Sequence, residues 1–210
     1  MQNKILLCII FGAVMVSAAG QAVAAPRFTQ NEFKTAGSLD PGMTQTGINF
    51  SLSDDFKSYY ADIRYGLGAM FELGGKFGVA VTTLDATDKM GALVGVDVKY
   101  QLIKETEGIP LDLAVDVSFD NTIVSSKNAS ELTFSSILSK DFFLTDRGYK
   151  LVPYGGLSLS SLYGSLTEQR ETFVNLFAGL EWKISQKAMF LVEIKGGDRL
   201  VGGGSIRFEY

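Results

Sequence analysis

The 210-residue chain contains no histidine, one cysteine (Cys8) and only four prolines. Each absence removes a class of chemistry. Without histidine, no unperturbed side chain titrates near neutral pH, so the serines lack their usual general base. Without a Cys/His set, zinc and copper have no ligands. The one glycine run, Gly202-Gly203-Gly204, lacks both the GxGxxG spacing and the following helix that a phosphate loop needs. Nineteen basic residues against 23 acidic ones argue against a nucleic-acid surface. The chain is therefore read as a non-enzyme that takes no metal and no cofactor.

Long apolar runs are scarce too. The single one is N-terminal: Lys4 supplies a positive start, Ile5 to Ala19 an apolar stretch, and Ala22-Val23-Ala24 a small-x-small cleavage site. That order is the pattern of a secretory signal peptide, and the run falls short of the roughly 20 residues of a spanning helix. Residues 1–24 are assigned to the signal. Cys8 leaves with it, so the exported chain must hold its fold without disulfides. The remaining 186 residues carry 18 basic and 23 acidic side chains, a net of −5, and suffice for one domain.

What the chain does have is period-two alternation. Ten strands are expected near 43–53, 59–73, 76–85, 92–102, 110–119, 131–140, 150–160, 173–184, 188–195 and 200–210. Val94, Val96, Val98 and Tyr100 alternate with Asp97 and Lys99; Val174, Leu176, Leu180 and Trp182 alternate with Glu181 and Lys183. In the clearest strands the apolar parity carries no charge. The opposite parity carries Asp62, Arg64, Glu72, Asp97, Lys99, Asp112, Asp116, Glu181, Lys183, Glu193, Lys195, Arg207 and Glu209. A lysine or arginine facing lipid at mid-depth costs roughly 2–4 kcal/mol, which explains so pure a face. Open sheet edges cannot be satisfied in hydrocarbon, so a membrane-spanning sheet must close on itself.

The C-terminal strand carries a resemblance. Gly204, Ile206, Phe208 and Tyr210 share one face and the chain stops on an aromatic ring, which resembles the closing strand of small bacterial outer-membrane β-barrels. In that family the terminal signature is read by the barrel-assembly machinery during insertion. Aromatics near strand ends (Tyr59, Phe71, Phe77, Tyr100, Phe119, Trp182) match its interfacial girdles. Arg64-Tyr65-Gly66 with Phe71-Glu72-Leu73-Gly74 also resembles a pattern in outer-membrane channels linked to uptake of aromatic compounds. The outer-membrane enzymes built on small barrels place a histidine in the active site, and here there is none.

The resemblance implies an all-β fold: an antiparallel up-and-down transmembrane β-barrel of ten strands, with eight as the alternative count. Residues 43–210 form the barrel and 25–42 a periplasmic N-terminal tail, or a segment folded into the lumen. Gly74-Gly75-Lys76, Lys104 to Gly108 and Ser185-Gln186-Lys187 are expected as short periplasmic connections, and Asp120 to Ser130 and Leu162 to Thr172 as the longest, outer loops. Asp85, Asp88 and Asp120 would sit near those loops, where solvated acids are far commoner than weak divalent-cation ligands. The expected location is the outer membrane, as a monomer among lipid and lipopolysaccharide. Three functions remain open: a structural or surface-binding role, a narrow cation-preferring channel, and a soluble periplasmic lipocalin-like carrier with the apolar parity turned inward.

Overall fold

A computed structural model describes residues 30–84, 87–106, 109–144, 149–166, 170–197 and 199–210. The signal-peptide assignment, Cys8 and Asp85 lie outside the described residues. The elements are β1 (Thr44–Leu52), β2 (Phe56–Gly68), β3 (Phe71–Leu84), β4 (Thr87–Ile103), β5 (Asp112–Val124), β6 (Lys127–Ser139), β7 (Phe142–Phe143), β8 (Lys150–Tyr163), β9 (Glu171–Lys183), β10 (Ala188–Gly196) and β11 (Leu200–Glu209). Chain neighbours pair antiparallel except β6 and β7, β6 pairs instead with β8, and β1 pairs with β11. The result is a closed ten-stranded barrel, with the two-residue β7 continuing the line of β6 against β8.

Following partner residues once around the wall leads from Lys150 through Lys183, Met189, Arg207, Gly47, Asp62, Lys76, Gly95, Asp120 and Glu131 to Leu162. The path returns to β8 twelve residues above its start. With about 3.3 Å per residue and 4.8 Å between strands, that stagger tilts the strands by about 40° and separates opposite backbones by about 20 Å. The two barrel termini meet at one end: Thr44 and Tyr210 exchange backbone hydrogen bonds of 3.0 and 2.8 Å. That end is called the terminal end here, and the opposite one the far end.

Two hairpins fall elsewhere than the sequence suggests. The β2–β3 turn is Ala69-Met70, both at positive φ, and Gly74-Gly75-Lys76 lies inside β3. A two-residue turn keeps the outward parity in step, from Leu67 to Phe71, so periodicity runs through it unbroken. Asp120 to Ser130 is likewise no loop: β5 and β6 continue to a two-residue turn at Ser125 (φ 50°) and Ser126 (φ 65°). Positive φ at both positions is the type I′ geometry, usually marked by Asn-Gly, and Ser-Ser carries no such mark. The longest connections, 104–111 and 140–149, are at the terminal end. At the far end only 164–170 exceeds three residues.

The apolar parity faces outward on every long strand. Ile48, Ile63, Phe77, Val96, Val117, Phe134, Leu157, Val174, Val192 and Ile206 are all exposed. At about 2.5 Å of axial rise per residue the exposed apolar band is roughly 25 Å tall. Aromatics collect at two levels of it. Tyr65, Phe71, Tyr100, Trp182, Phe190 and Phe208 lie towards the terminal end, where the Phe71 and Tyr100 rings stack with centroids 4.4 Å apart. Phe50, Tyr59, Phe77, Phe119 and Phe134 form the second ring, nearer the far end.

Candidate functional site

The site is the barrel interior, built from the opposite parity together with residues 30–42. This segment has no pairing with the wall ladder. It runs from mid-lumen at Gln30 down to the terminal end, where Gly42 (φ 83°) donates to the Gly66 carbonyl at 2.9 Å and the chain turns into β1. Gln30 to Lys34 and Ala36 are buried. Residues 30–39 thus fill the bore.

Wall side chains hold this plug. Both Glu193 carboxylate oxygens accept, at 2.7 Å each, from the backbone N–H groups of Glu32 and Phe33, and the Tyr154 hydroxyl donates to Oε2 at 3.0 Å. Phe33 has φ 46°, and with that turn the two successive N–H groups converge on one anion. Lys195 Nζ donates to Glu32 Oε1 at 2.8 Å and to the Gln30 carbonyl at 3.0 Å. Lys99 Nζ donates to the carbonyls of Thr35 and Gly37 at 2.9 and 2.6 Å. Ser139 accepts from the Ala36 N–H, Gln101 from Ser38, and Glu72 from the Leu39 N–H. Lys34 reaches across to Asp116 at 2.7 Å and Asp97 at 3.2 Å.

The remaining wall charges pair with one another. Arg64 bridges Glu72 (3.1 Å) and Asp97 (2.9 Å), and Lys99 also meets Glu72 at 3.1 Å. Arg207 donates to Asp62 at 3.0 Å, whose other oxygen accepts from Asn49 at 2.7 Å. Lys183 meets Glu209 at the terminal rim, 3.1 Å away. Asp112 forms no ion pair among the described residues; it accepts from Gln101 and from the Glu105 N–H, anchoring the connection 104–111. Glu181 is buried without an ion pair among the described residues, on the wall of a polar cavity of about 280 Å³ between the plug and the terminal end. So all thirteen charged residues named above face the interior. Most of these buried charges are matched by an opposite charge or a hydrogen bond, because an unpaired one keeps its full desolvation penalty.

Three further wall charges escape the alternation. Lys76 Nζ and Asp120 Oδ2 pair at 2.8 Å inside the lumen, the former read as a turn residue and the latter as an outer-loop acid. Asp120 is therefore no loop cation ligand. Glu131 lies beside it in register, accepting from Thr133 at 3.2 Å. Asp88, by contrast, is exposed and accepts from Thr83 at 2.9 Å. Glycines leave room for this interior: a Cβ at Gly74 would stand 2.5 Å from Asp97, and one at Gly203 2.6 Å from the Phe33 ring.

Apolar side chains complete the filling. Phe33 and Ala36 pack with Tyr60, Leu93, Ile137, Tyr154, Phe177 and Leu191 at mid-height. A second cluster, including Phe56, Val124, Leu162, Leu166 and Phe173, caps the far end. The strand that closes the wall carries Ile206, Phe208 and Tyr210 outward, and Gly204 lies under the ring of Phe50 from β1.

No protein-family model matches this sequence, and no curated protein matches it. Among solved structures the chain is similar to the N-terminal β-barrel domain of Pseudomonas aeruginosa OprF, at 15% identity over 82% of this chain and 100% of that one, with a TM-score of 0.39. It is also similar to the β domain of the Bordetella autotransporter BrkA, at 14% identity over 80% and 98%, with a TM-score of 0.46. A third is an outer-membrane channel from Pseudomonas putida F1, at 13% identity over 87% and 99%, with a TM-score of 0.42.

Proposed function

We propose that this protein is an integral outer-membrane barrel with a structural role in the cell envelope, inserted by the barrel-assembly machinery and resident as a monomer among lipid and lipopolysaccharide. The observation that carries the reading is the exterior: large apolar side chains stand exposed on every long strand while thirteen charged strand residues are buried inside. A water-soluble particle rarely exposes contiguous apolar surface beyond a few hundred Å². A lipocalin-like carrier would need the reverse orientation. The filled bore favours a structural element over a standing channel, and the short far-end turns favour it over a binding surface made of loops.

Envelope fractionation with heat-modifiable gel migration tests this reading. The protein should be recovered in the outer-membrane fraction and should migrate differently before and after boiling. In planar bilayers the full-length barrel should stay silent. Recovery in the soluble periplasm would end the membrane reading, and steady single-channel steps would replace the structural role with a channel.

A further inference from the structure

We propose that residues 30–39 are a displaceable plug, and that their withdrawal through the terminal end uncovers an acidic lumen that admits small cations in preference to anions. The inference rests on the membrane-barrel reading above and adds a moving part to it.

The attachment of the segment is what points to displacement. Among the described residues, none of positions 30–41 exchanges a backbone–backbone hydrogen bond with the wall. The barrel ladder closes without the plug, so no strand pairing breaks when it leaves. Every polar tether is a side chain of the wall or of the plug itself, and water can replace each in turn. Among the described residues its buried apolar anchors are Phe33 and Ala36. At the exit the chain has a pivot: Gly42 takes a left-handed conformation, and a Cβ there would meet nothing within 4 Å.

The vacated wall sets the preference. Among buried strand residues nine are carboxylates and four are cationic, and Lys76, Lys89, Lys150, Lys183, Glu171 and Glu209 lie at intermediate depth. The wall therefore keeps an excess of three acids, and rings of acidic side chains favour cations. Withdrawal of Lys34 leaves Asp116 without its partner, and withdrawal of the Glu32 and Phe33 N–H groups leaves Glu193 open. The apolar cap of Phe56, Leu162 and Phe173 is not part of the plug, so the uncovered space is a well entered from the terminal end.

Thiol labelling tests this directly, because a chain starting at residue 25 contains no cysteine. Ser158, inward on β8 and with a hydroxyl lacking a hydrogen-bond partner among the described residues, is the reporter position. Ser158→Cys protein, folded into liposomes and confirmed heat-modifiable, is exposed to a cationic (trimethylammonium) and an anionic (sulfonate) methanethiosulfonate. Glu193→Gln should speed cationic labelling by about tenfold to a hundredfold, the equivalent of losing one charge-assisted tether. The cationic reagent should outpace the anionic one. Ala36→Cys with Ser139→Cys, oxidised to a disulfide, should abolish labelling at 158, and reduction should restore it. Equal rates with and without the lock, no response to Glu193→Gln, or an anionic preference would each overturn the proposal. A failed membrane reading shows itself earlier, as the lack of any heat-modifiable fraction.

Discussion

Glu193 spends a single carboxylate on two backbone donors and a tyrosine hydroxyl, all buried. Glu193→Ala should therefore leave two N–H groups unsatisfied, at about 1–3 kcal/mol each. Urea unfolding of the liposome-folded protein measures the loss; an unchanged midpoint would show that the clamp contributes nothing. Single residues also show how far the sequence reaches. Asp97, Lys99 and Glu181 alternate cleanly with apolar neighbours, and that parity is the one turned inward. Lys76 and Asp120 carry the same kind of charge but sit where glycines and polar residues imitate a turn and a loop. Glu32 and Lys34 belong to a segment without periodicity, so their place in the bore depends on partners some 80 to 160 positions away in the chain.

At the level of elements, hairpins are the least legible part, since an even turn preserves parity and hides itself. The β5–β6 turn offers a direct check. Ser125-Ser126→Asn-Gly supplies residues that accept positive φ at both positions, and should raise stability by about 0.4–1 kcal/mol, read as a higher urea midpoint. A lower midpoint would count against the type I′ assignment. The terminal-end connections hold a second test. Glu105 accepts from Lys140 at 2.9 Å and from the Asp141 N–H at 3.2 Å, and the Lys140 hydrogen bond pulls its carboxyl below the usual glutamate range. A depressed folded pKa means the contribution is complete above the unfolded value near 4.3 and disappears as the pH falls through the folded one. Cleavage of the connection 104–111 by an acid-stable protease should therefore rise as the pH drops below about 4, and Glu105→Gln should flatten that rise. Because both groups are partly exposed, solvent screening keeps the effect small.

For the whole molecule the deciding quantity is which way the wall faces. Val98 stands mid-band on β4, between the two aromatic levels and exposed at 43%. Val98→Arg should destabilise the folded barrel in bilayers by about 2–4 kcal/mol. Asp88→Lys, beyond the apolar band on the same strand, should change stability little. Equal responses would mean that no depth-dependent hydrocarbon surrounds the barrel. Strand number was accessible from alternation, because a wall with apolar side chains on one face and charges on the other writes its two faces into successive residues; alternation alone left open which face turns outward. The plug was legible only as the alternative to a periplasmic tail, since a chain without a ladder obeys no period.

The course of residues 30–42 also governs what can be attached to this protein. Gln30 lies halfway along a wall whose opposite backbones stand about 20 Å apart, on the sealed side of the stopper. Between the plug and the far-end cap a folded reporter spliced ahead of Gln30 is too bulky and must drag the stopper out, whereas a short epitope demands far less room. Fusion size would then choose between a shut and an emptied barrel, so tag placement in this protein is a functional variable.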